Sequence, residues 1–304
     1  MSKLIIIAGA TATGKSDLAV EVARELSAEI ISADSMQLYR GMDIGTAKLT
    51  PEGRRGIPHH LLDVVDVKDD VSVSWYQEIA RSKIDELQNQ GKNVVVVGGT
   101  GLYIKAILDD LNFPDTDPEV REKLNLEATK IGGDAMHERL SKLDPAAGLA
   151  IPKENVRRVV RALEVIEITG KPFTAVLPRV DSSKYPDAMQ FGLAMDRETL
   201  DVRIDNRVLR MWDLGFEDEV ESLINNGLLE GRTAQAAIGY SQIVRMNHGE
   251  FDSAFAREDT ARATRQYARR QETWFSKDLR ITWLSATSNL SERTDSVLQA
   301  ILKS

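Results

Sequence analysis

The sequence has no cysteine anywhere in its 304 residues. Disulfides and cysteine-held zinc sites are therefore excluded. Histidine is scarce as well. His59, His60, His137 and His248 show no His-x-x-x-His spacing, which leaves hard-oxygen Mg²⁺ as the expected metal chemistry. No apolar run approaches the roughly 20 residues of a membrane span. The apolar start, residues 4–10, is too short for a signal-peptide core and runs straight into a glycine-rich turn, so it reads as a strand. A cytoplasmic location with no membrane partner is expected. Positive charge is also in deficit. Against 47 acidic residues stand 39 lysines and arginines, a net charge of −8, which argues against indiscriminate nucleic-acid binding and leaves only a local basic face open. With 42% hydrophobic residues the chain can bury a sizeable core, and its length suits one large or two modest domains.

What is present begins at residue 9. Gly9, Ala10, Thr11, Ala12, Thr13, Gly14, Lys15 and Ser16 form the pattern G-x-x-x-x-G-K-[ST] between an apolar run and a helical pattern. In that context the two glycines let the backbone turn so that successive N–H groups face one anion. Lys15 adds a mobile charge, the helix start adds its dipole, and the Ser16 hydroxyl suits a phosphate-bound Mg²⁺. The loop predicts a bound di- or triphosphate without saying which, or what becomes of it.

Strand patterns are predicted at 4–8, 29–33, 60–65 and 93–97, with helices at 15–26, 75–90 and after Gly101. Continuous apolar strands such as Val94-Val95-Val96-Val97 suit a parallel sheet covered on both faces. The fold class expected is α/β, a P-loop NTPase-like doubly wound parallel sheet with an inserted all-helical domain. The boundary is read at Phe113-Pro114-Asp115-Thr116-Asp117-Pro118, giving a core over 1–112, a helical insertion over 113–186 broken at Gly132-Gly133, Asp144-Pro145 and Gly170, and a second core part over 187–304. That second part is expected to hold a strand at 190–195, helices at 199–214, 216–225 and 259–276, a strand at 281–284 and a terminal helix.

Asp34 ends the second predicted strand, at the sheet edge where the phosphate loop also emerges. A carboxylate there could bind Mg²⁺ through water or accept a proton from a nucleophile, or could simply cap a turn. Gly98-Gly99-Thr100-Gly101 ends another strand at the same edge, and Thr100 could orient a ligand or serve as a helix N-cap. Arg203, Arg207 and Arg210 fall on one helical face, suited to an anion or to pairing with Asp201 and Asp205. Two further arginine groups stand out: Arg157, Arg158 and Arg161 in the insertion, and Arg262, Arg265 and Arg269 near Tyr267, Arg270 and Trp274. Basic stripes with interleaved aromatics suit a nucleic acid, although solvated faces often look the same. The residue types give His59 and His60 no role.

Taken in order, the motifs resemble the bacterial tRNA dimethylallyltransferase family, the P-loop tRNA isopentenyltransferases. The resemblance is carried by residues 9–16, by Ala33-Asp-Ser-Met-Gln-Leu-Tyr-Arg40, Met42-Asp-Ile-Gly-Thr-Ala-Lys48, Pro58-His-His-Leu-Leu-Asp63 and Val97-Gly-Gly-Thr-Gly-Leu-Tyr103, then by residues 155–164, Ala237-Ile-Gly-Tyr240 and Thr264-Arg-Gln-Tyr-Ala-Arg-Arg-Gln271. It implies transfer of a dimethylallyl group from dimethylallyl diphosphate to N6 of the adenosine 3′-adjacent to the anticodon. The loop residues, Mg²⁺ at Ser16, and Arg203 and Arg207 would then neutralise the leaving diphosphate. Asp34 would take the amine proton and Thr100 would orient the reacting groups. Asp34, Ser35, Met36, Gln37 and Thr100 would touch a base flipped out of the anticodon stem-loop. Arg157, Arg158 and Arg161, more weakly Arg121, and the stripe Arg262, Arg265 and Arg269 would contact tRNA. The resemblance further implies a mobile helical insertion, and a monomer is expected. Ala10 stands where the family usually has proline, and Ser241 where a basic residue is common. No zinc-finger extension at the C-terminus is expected, in line with the bacterial form. An adenylate isopentenyltransferase acting on free AMP, ADP or ATP shares the loop, and a kinase or a nucleotide-switch module would use it differently.

Overall fold

A computed structural model describes residues 2–303 except 112, 115 and 177–182. Asp115, in the predicted boundary run, and residues 177–182, in the predicted insertion, lie outside the described residues. The chain divides into two compact units, one made of Met1–Leu108 with Lys184–Ser304, the other of Asp109–Ser183.

The first unit is built on six strands: β1 (Leu4–Gly9), β2 (Glu29–Ser32), β3 (His59–His60), β4 (Val94–Gly98), β5 (Met189–Ala194) and β6 (Ile281–Ser285). All pairings are parallel, in the order β3-β2-β4-β1-β5-β6. The helices run in chain order as α1 (Lys15–Glu25), α2 (Val73–Asn89) and α3 (Gly101–Leu108), then α4 (Pro118–Ile131), α5 (Gly133–Leu143), α6 (Pro145–Ala150), α7 (Val156–Thr169) and α8 (Phe173–Val176) in the second unit. Returning to the first unit they are α9 (Arg197–Asp213), α10 (Phe216–Asn225), α11 (Tyr240–Asn247), α12 (Ser253–Phe275) and α13 (Leu290–Lys303).

The unbroken apolar character of β1 follows from its place. Leu4, Ile6 and Ala8 enter one core with Ile31, Val94, Val96, Tyr76 and Tyr240, while Ile5 and Ile7 enter the other with Leu18, Val95, Phe191 and Val297. Successive side chains point to opposite faces, so a strand covered on both sides must be apolar at every position. Each fully buried isoleucine contributes on the order of 1.5–3 kcal/mol. Since β1 hydrogen-bonds to β4 on one side and to β5 on the other, the chain leaving β1 sits where the winding reverses, beside the carboxyl ends of β2 and β4.

Two expectations for secondary structure need correction, and one helix has no predicted counterpart. The strand predicted at 60–65 stops at His60, because Leu61 and Asp63 take positive φ of 60° and 56°, a conformation no strand accommodates. Only Val65 returns, as an isolated bridge to Tyr39. Helix α12 starts at Ser253 rather than 259, capped by the Asp252 carboxylate, which accepts the Phe255 N–H at 2.8 Å. Helix α11 carries no apolar stripe long enough to have been read from the sequence.

The second unit has its own core of Leu124, Met136, Leu140, Val159, Leu163 and Phe173. Asp117, Asp144 and Asn155 cap α4, α6 and α7, and Gly170 closes α7 in the left-handed conformation. At its centre Glu164 is fully buried and accepts the Asp117 N–H at 3.1 Å, Arg121 through Nε and Nη2 at 2.9 and 2.7 Å, and Arg161 Nη1 at 2.9 Å. A buried carboxylate persists only when such partners replace water.

Candidate active site

The phosphate loop leaves β1 through Gly9 (φ 139°), passes Ala12 at φ 63° and enters α1 through Gly14 at φ 89°. A Cβ on Gly9 would lie 3.1 Å from the Leu193 carbonyl oxygen, so the close approach to β5 and the backbone angle both require glycine there. The buried Thr13 hydroxyl donates to the Ala10 carbonyl at 2.8 Å and fixes the turn. Lys15 Nζ donates to the same carbonyl at 2.6 Å. Burial and, after it, the charge of Arg207 lower the Lys15 ammonium to about 7, against a smaller opposite pull from Asp34. An ammonium held this weakly gains its proton firmly only when an anion sits in the loop. The small side chain of Ala10, where a proline was the usual family residue, packs against Leu200, Ile204 and Ala268.

Two neighbouring loops close on this one. A Cβ on Gly98 would come within 2.1 Å of the Ala33 carbonyl oxygen, so β4 and the segment after β2 meet backbone to backbone. The contact is cemented by the Thr100 N–H donating to Ala33 O at 3.2 Å and by the Ser35 N–H donating to Thr100 Oγ1 at 3.1 Å. The Asp34 carboxylate accepts the Met36 N–H at 2.9 Å through Oδ1. It therefore caps a turn, as one reading of the sequence had it, yet this uses one carboxylate oxygen. Its charge acts on Lys15, Arg207, Tyr103 and Tyr267, which places it among the site's other polar groups.

Gln271, to which the sequence gave no separate role, joins the loops. From buried α12 it accepts the Thr11 N–H at 2.9 Å and donates to the Gly99 carbonyl at 2.8 Å. Its residue type is not diagnostic, and only the packing of α12 across the sheet edge shows what it does.

Beside these loops lies a cavity of about 310 Å³. Its polar wall includes Thr11, Asp34, Arg207 and Arg270, and its apolar wall includes Met36, Val208, Met211, Ala237 and Ile238. Arg207 Nη2 donates to the Thr46 carbonyl at 3.2 Å, and burial lowers its guanidinium pKa while Asp34 opposes that shift. Burial, then the Asp34 charge, push the Tyr267 phenol up to about 12, so it stays a neutral donor. The Arg270 guanidinium lies 5.7 Å from the Tyr267 ring centroid.

Two carboxylate networks hold the cavity's far wall. Glu219 accepts the N–H groups of Asp43, Ile44 and Gly45 at 3.1, 2.7 and 3.2 Å and the Tyr240 hydroxyl at 2.6 Å. Lys48 is buried and bonded to Asp43 and Asp63 at 2.6 and 2.5 Å, which ties the segments 42–48 and 58–63 together. Glu219→Ala strands three amides, and we expect unfolding free energy to fall by about 2–4 kcal/mol. Urea denaturation checks this; a loss below about 1 kcal/mol shows that water replaces the carboxylate.

The arginines disperse. Arg207 lines the cavity, whereas Arg203 and Arg210 are exposed, so the three do not act as one stripe. Arg262 pairs with Asp259, Arg265 with Asp205, and Arg269 with Asp201 at 3.3 Å. The last two brace α12 against α9, since aspartates four residues apart meet arginines four residues apart. In the helical unit Arg121 and Arg161 serve Glu164, while Arg157 and Arg158 are exposed to solvent. Of the flipped-base candidates, Gln37 is turned inward, with Nε2 donating to the Thr46 carbonyl at 3.2 Å, while Ser35 and Met36 line the cavity.

Among the described residues no cluster of three His, Asp or Glu side chains could hold a metal by itself. Ser16 offers a single hard oxygen on the loop, a donor set that fits an ion brought in on phosphate oxygens. No helix of the described residues is long and apolar enough to cross a membrane.

A sequence profile described as IPP transferase matches residues 37–278. The chain is 54% identical over 291 residues to a tRNA dimethylallyltransferase of Streptomyces avermitilis, covering 95% of this chain and 93% of that protein. It is 55% identical to the protein of the same name from Thermobifida fusca, covering 93% and 90%. The full-length tRNA isopentenylpyrophosphate transferase of Bacillus halodurans superposes with a TM-score of 0.73 at 37% identity, covering all of this chain and 96% of that one. A eukaryotic dimethylallyltransferase acting on tRNA superposes with a TM-score of 0.85 at 26% identity, covering 100% and 80%. With a matched profile that spans the Asp34-adjacent segment, the Gly-Gly-Thr loop and Gln271, and relatives identical at half of their positions over nearly their whole length, this chain belongs to the IPP transferase family.

Proposed function

We propose that this protein transfers a dimethylallyl group from dimethylallyl diphosphate to N6 of the adenosine 3′-adjacent to the anticodon of a tRNA. The observation that carries the reading is the convergence of a phosphate loop, one carboxylate and a half-apolar cavity at a single sheet edge. The diphosphate would occupy residues 9–16, and the five-carbon group would lie along Met36, Val208 and Met211. Asp34 faces the point where the two substrates meet.

The N6 lone pair attacks C1 of the donor as the C1–O bond to diphosphate breaks, and the N6 proton passes to Asp34. An exocyclic aromatic amine is a weak nucleophile, so a carboxylate that accepts its N–H raises electron density on nitrogen as the bond forms. Lys15, Arg207 and the loop N–H groups neutralise the charge that develops on the bridging oxygen. Mg²⁺ held by Ser16 and the diphosphate would add Lewis-acid stabilisation of the same charge. Thr100, fixed against Ser35, sets the position of Asp34 relative to the base.

Mass spectrometry of tRNA nucleosides after incubation with dimethylallyl diphosphate and Mg²⁺ tests the reading. N6-dimethylallyladenosine in tRNA is expected; prenylated AMP with unmodified tRNA refutes it. The helical unit supplies a second check. Arg158→Ala removes an exposed cation, and we expect the slope of log affinity against log salt to flatten by about 0.7–0.9. Arg161→Ala removes one of the three partners of buried Glu164 and is expected to cost about 2–3 kcal/mol of stability by urea denaturation. Equal slopes for wild type and Arg158→Ala place that residue off the tRNA surface.

A further inference from the structure

Helix α13, the last element of the chain, brings Arg293 to the phosphate loop. A Cβ built on Gly14 would stand 3.3 Å from Arg293 Nη1, so the guanidinium lies directly over the last glycine of the loop. That Nη1 is buried and has no hydrogen-bond partner. Nε reaches only the Asn289 carbonyl, at 3.4 Å, and among the described residues Arg293 makes no ion pair. A buried guanidinium donor without an acceptor is costly and uncommon in native proteins. Its surroundings make the cost larger. After burial, the strongest influence on Arg293 is the like charge of Arg203, and Asp17 in the first turn of α1 opposes it weakly. Arg203 also has no acidic partner among the described residues, because the acids two residues to either side, Asp201 and Asp205, pair with Arg269 and Arg265.

The Arg293 guanidinium, with a dry, unused donor, thus stands over the last glycine of the loop and feels the like charge of Arg203. An unfilled guanidinium donor in that place is suited to a charge-assisted hydrogen bond to an anion in the loop. We infer that Arg293, together with Arg203, binds the terminal phosphate of the diphosphate held in residues 9–16. Planar guanidinium forks can each grip two phosphate oxygens, so the pair would hold the outer phosphate while Lys15 and Arg207 attend the bridging oxygen. The inference rests on the proposed diphosphate site and adds a residue that no motif indicates. Position 293 lies outside the profile match, which ends at 278.

The test uses the full chain and inorganic diphosphate with Mg²⁺ as the probe, read by calorimetry and by the ligand-induced rise in melting temperature. Arg293→Ala is expected to weaken diphosphate binding about tenfold, to raise the KM for dimethylallyl diphosphate similarly, and to leave the KM for tRNA within about twofold. Arg293→Lys should recover part of the loss. Because the guanidinium has no protein acceptor at Nη1, the ligand-free melting temperature should stay level or rise; a residue with a merely structural role would lower it. Arg293→Gln serves the same comparison if the alanine variant folds poorly. Diphosphate affinity within threefold of wild type in these variants overturns the inference. Lys15→Ala run in parallel separates the two readings: if it too leaves diphosphate binding intact, the loop itself is not the diphosphate site, whereas a loss in Lys15→Ala alone removes only Arg293.

Discussion

Asp34→Asn lowers single-turnover prenyl transfer by about 10²-fold or more while tRNA affinity stays within about twofold. The asparagine keeps the Oδ1 that accepts the Met36 N–H, so the turn and the contact of Ser35 with Thr100 survive the change. What is lost is the negative oxygen that, in the proposed mechanism, takes the N6 proton. The same substitution removes the charge that partly supports the Lys15 ammonium, so the lysine should titrate still lower in the variant. Rapid-quench measurement with saturating tRNA and donor isolates the chemical step. A single-turnover rate near wild type would show that the carboxylate serves the turn and nothing else.

Lys15→Ala is expected to weaken donor binding by about 10- to 150-fold, the range for a charged hydrogen bond in a dry site, with little change in the KM for tRNA. The pH dependence follows from the direction of the lysine shift. In the empty loop the ammonium is lowered to about 7, and a bound diphosphate must raise it again. Binding therefore takes up a proton above about pH 7, and affinity falls as pH rises, by up to tenfold per unit, until the raised pKa is reached. Below about pH 7 the lysine is charged with or without ligand and contributes no slope. Diphosphate has protons of its own, so the alanine variant is the reference: the ratio of wild-type to variant affinity should be flat in acid and decline in base. Calorimetry in buffers of differing ionisation enthalpy near pH 8 should find proton uptake in the wild type that the variant lacks. Identical pH profiles would mean that Lys15 keeps its charge in the empty loop.

The elements most legible in the sequence are those with local causes. The phosphate loop needs glycine at two backbone angles, and β1 needs an apolar residue at each position because both faces are covered. The breaks of the helical unit at Gly132, Asp144 and Gly170 are cap positions, each set by its own side chain or lack of one. Where the reading overreached, at 60–65, the paired apolar residues Leu61-Leu62 and Val64-Val65 imitate a strand that two left-handed residues prevent. The start of α12 was missed because Asp259 resembles a cap, although it is buried in mid-helix against Gln242 and Arg262.

Charge was the least legible property. An arginine stripe looks the same whether its partners are phosphates or the aspartates of the next helix, and Arg265 and Arg269 proved to face Asp205 and Asp201. Arg121 and Arg161 drew attention as basic residues, yet their acceptor is Glu164, more than 40 positions from Arg121 and three from Arg161. Conversely Arg293 lies in no motif, and Gln271, though it ends one, has a role that shows only through what it approaches.

The order of residues alone determined the glycine-rich loop after β1, the parallel sheet behind it and the family to which the chain belongs, because each depends on backbone angles and burial patterns written within a few neighbouring positions. Tertiary structure decided which charges remain available to a ligand and which are spent on one another. That choice depends on distances between helices far apart in the chain, and at those distances a carboxylate or an unfilled donor either meets its counterpart or is left waiting for a substrate.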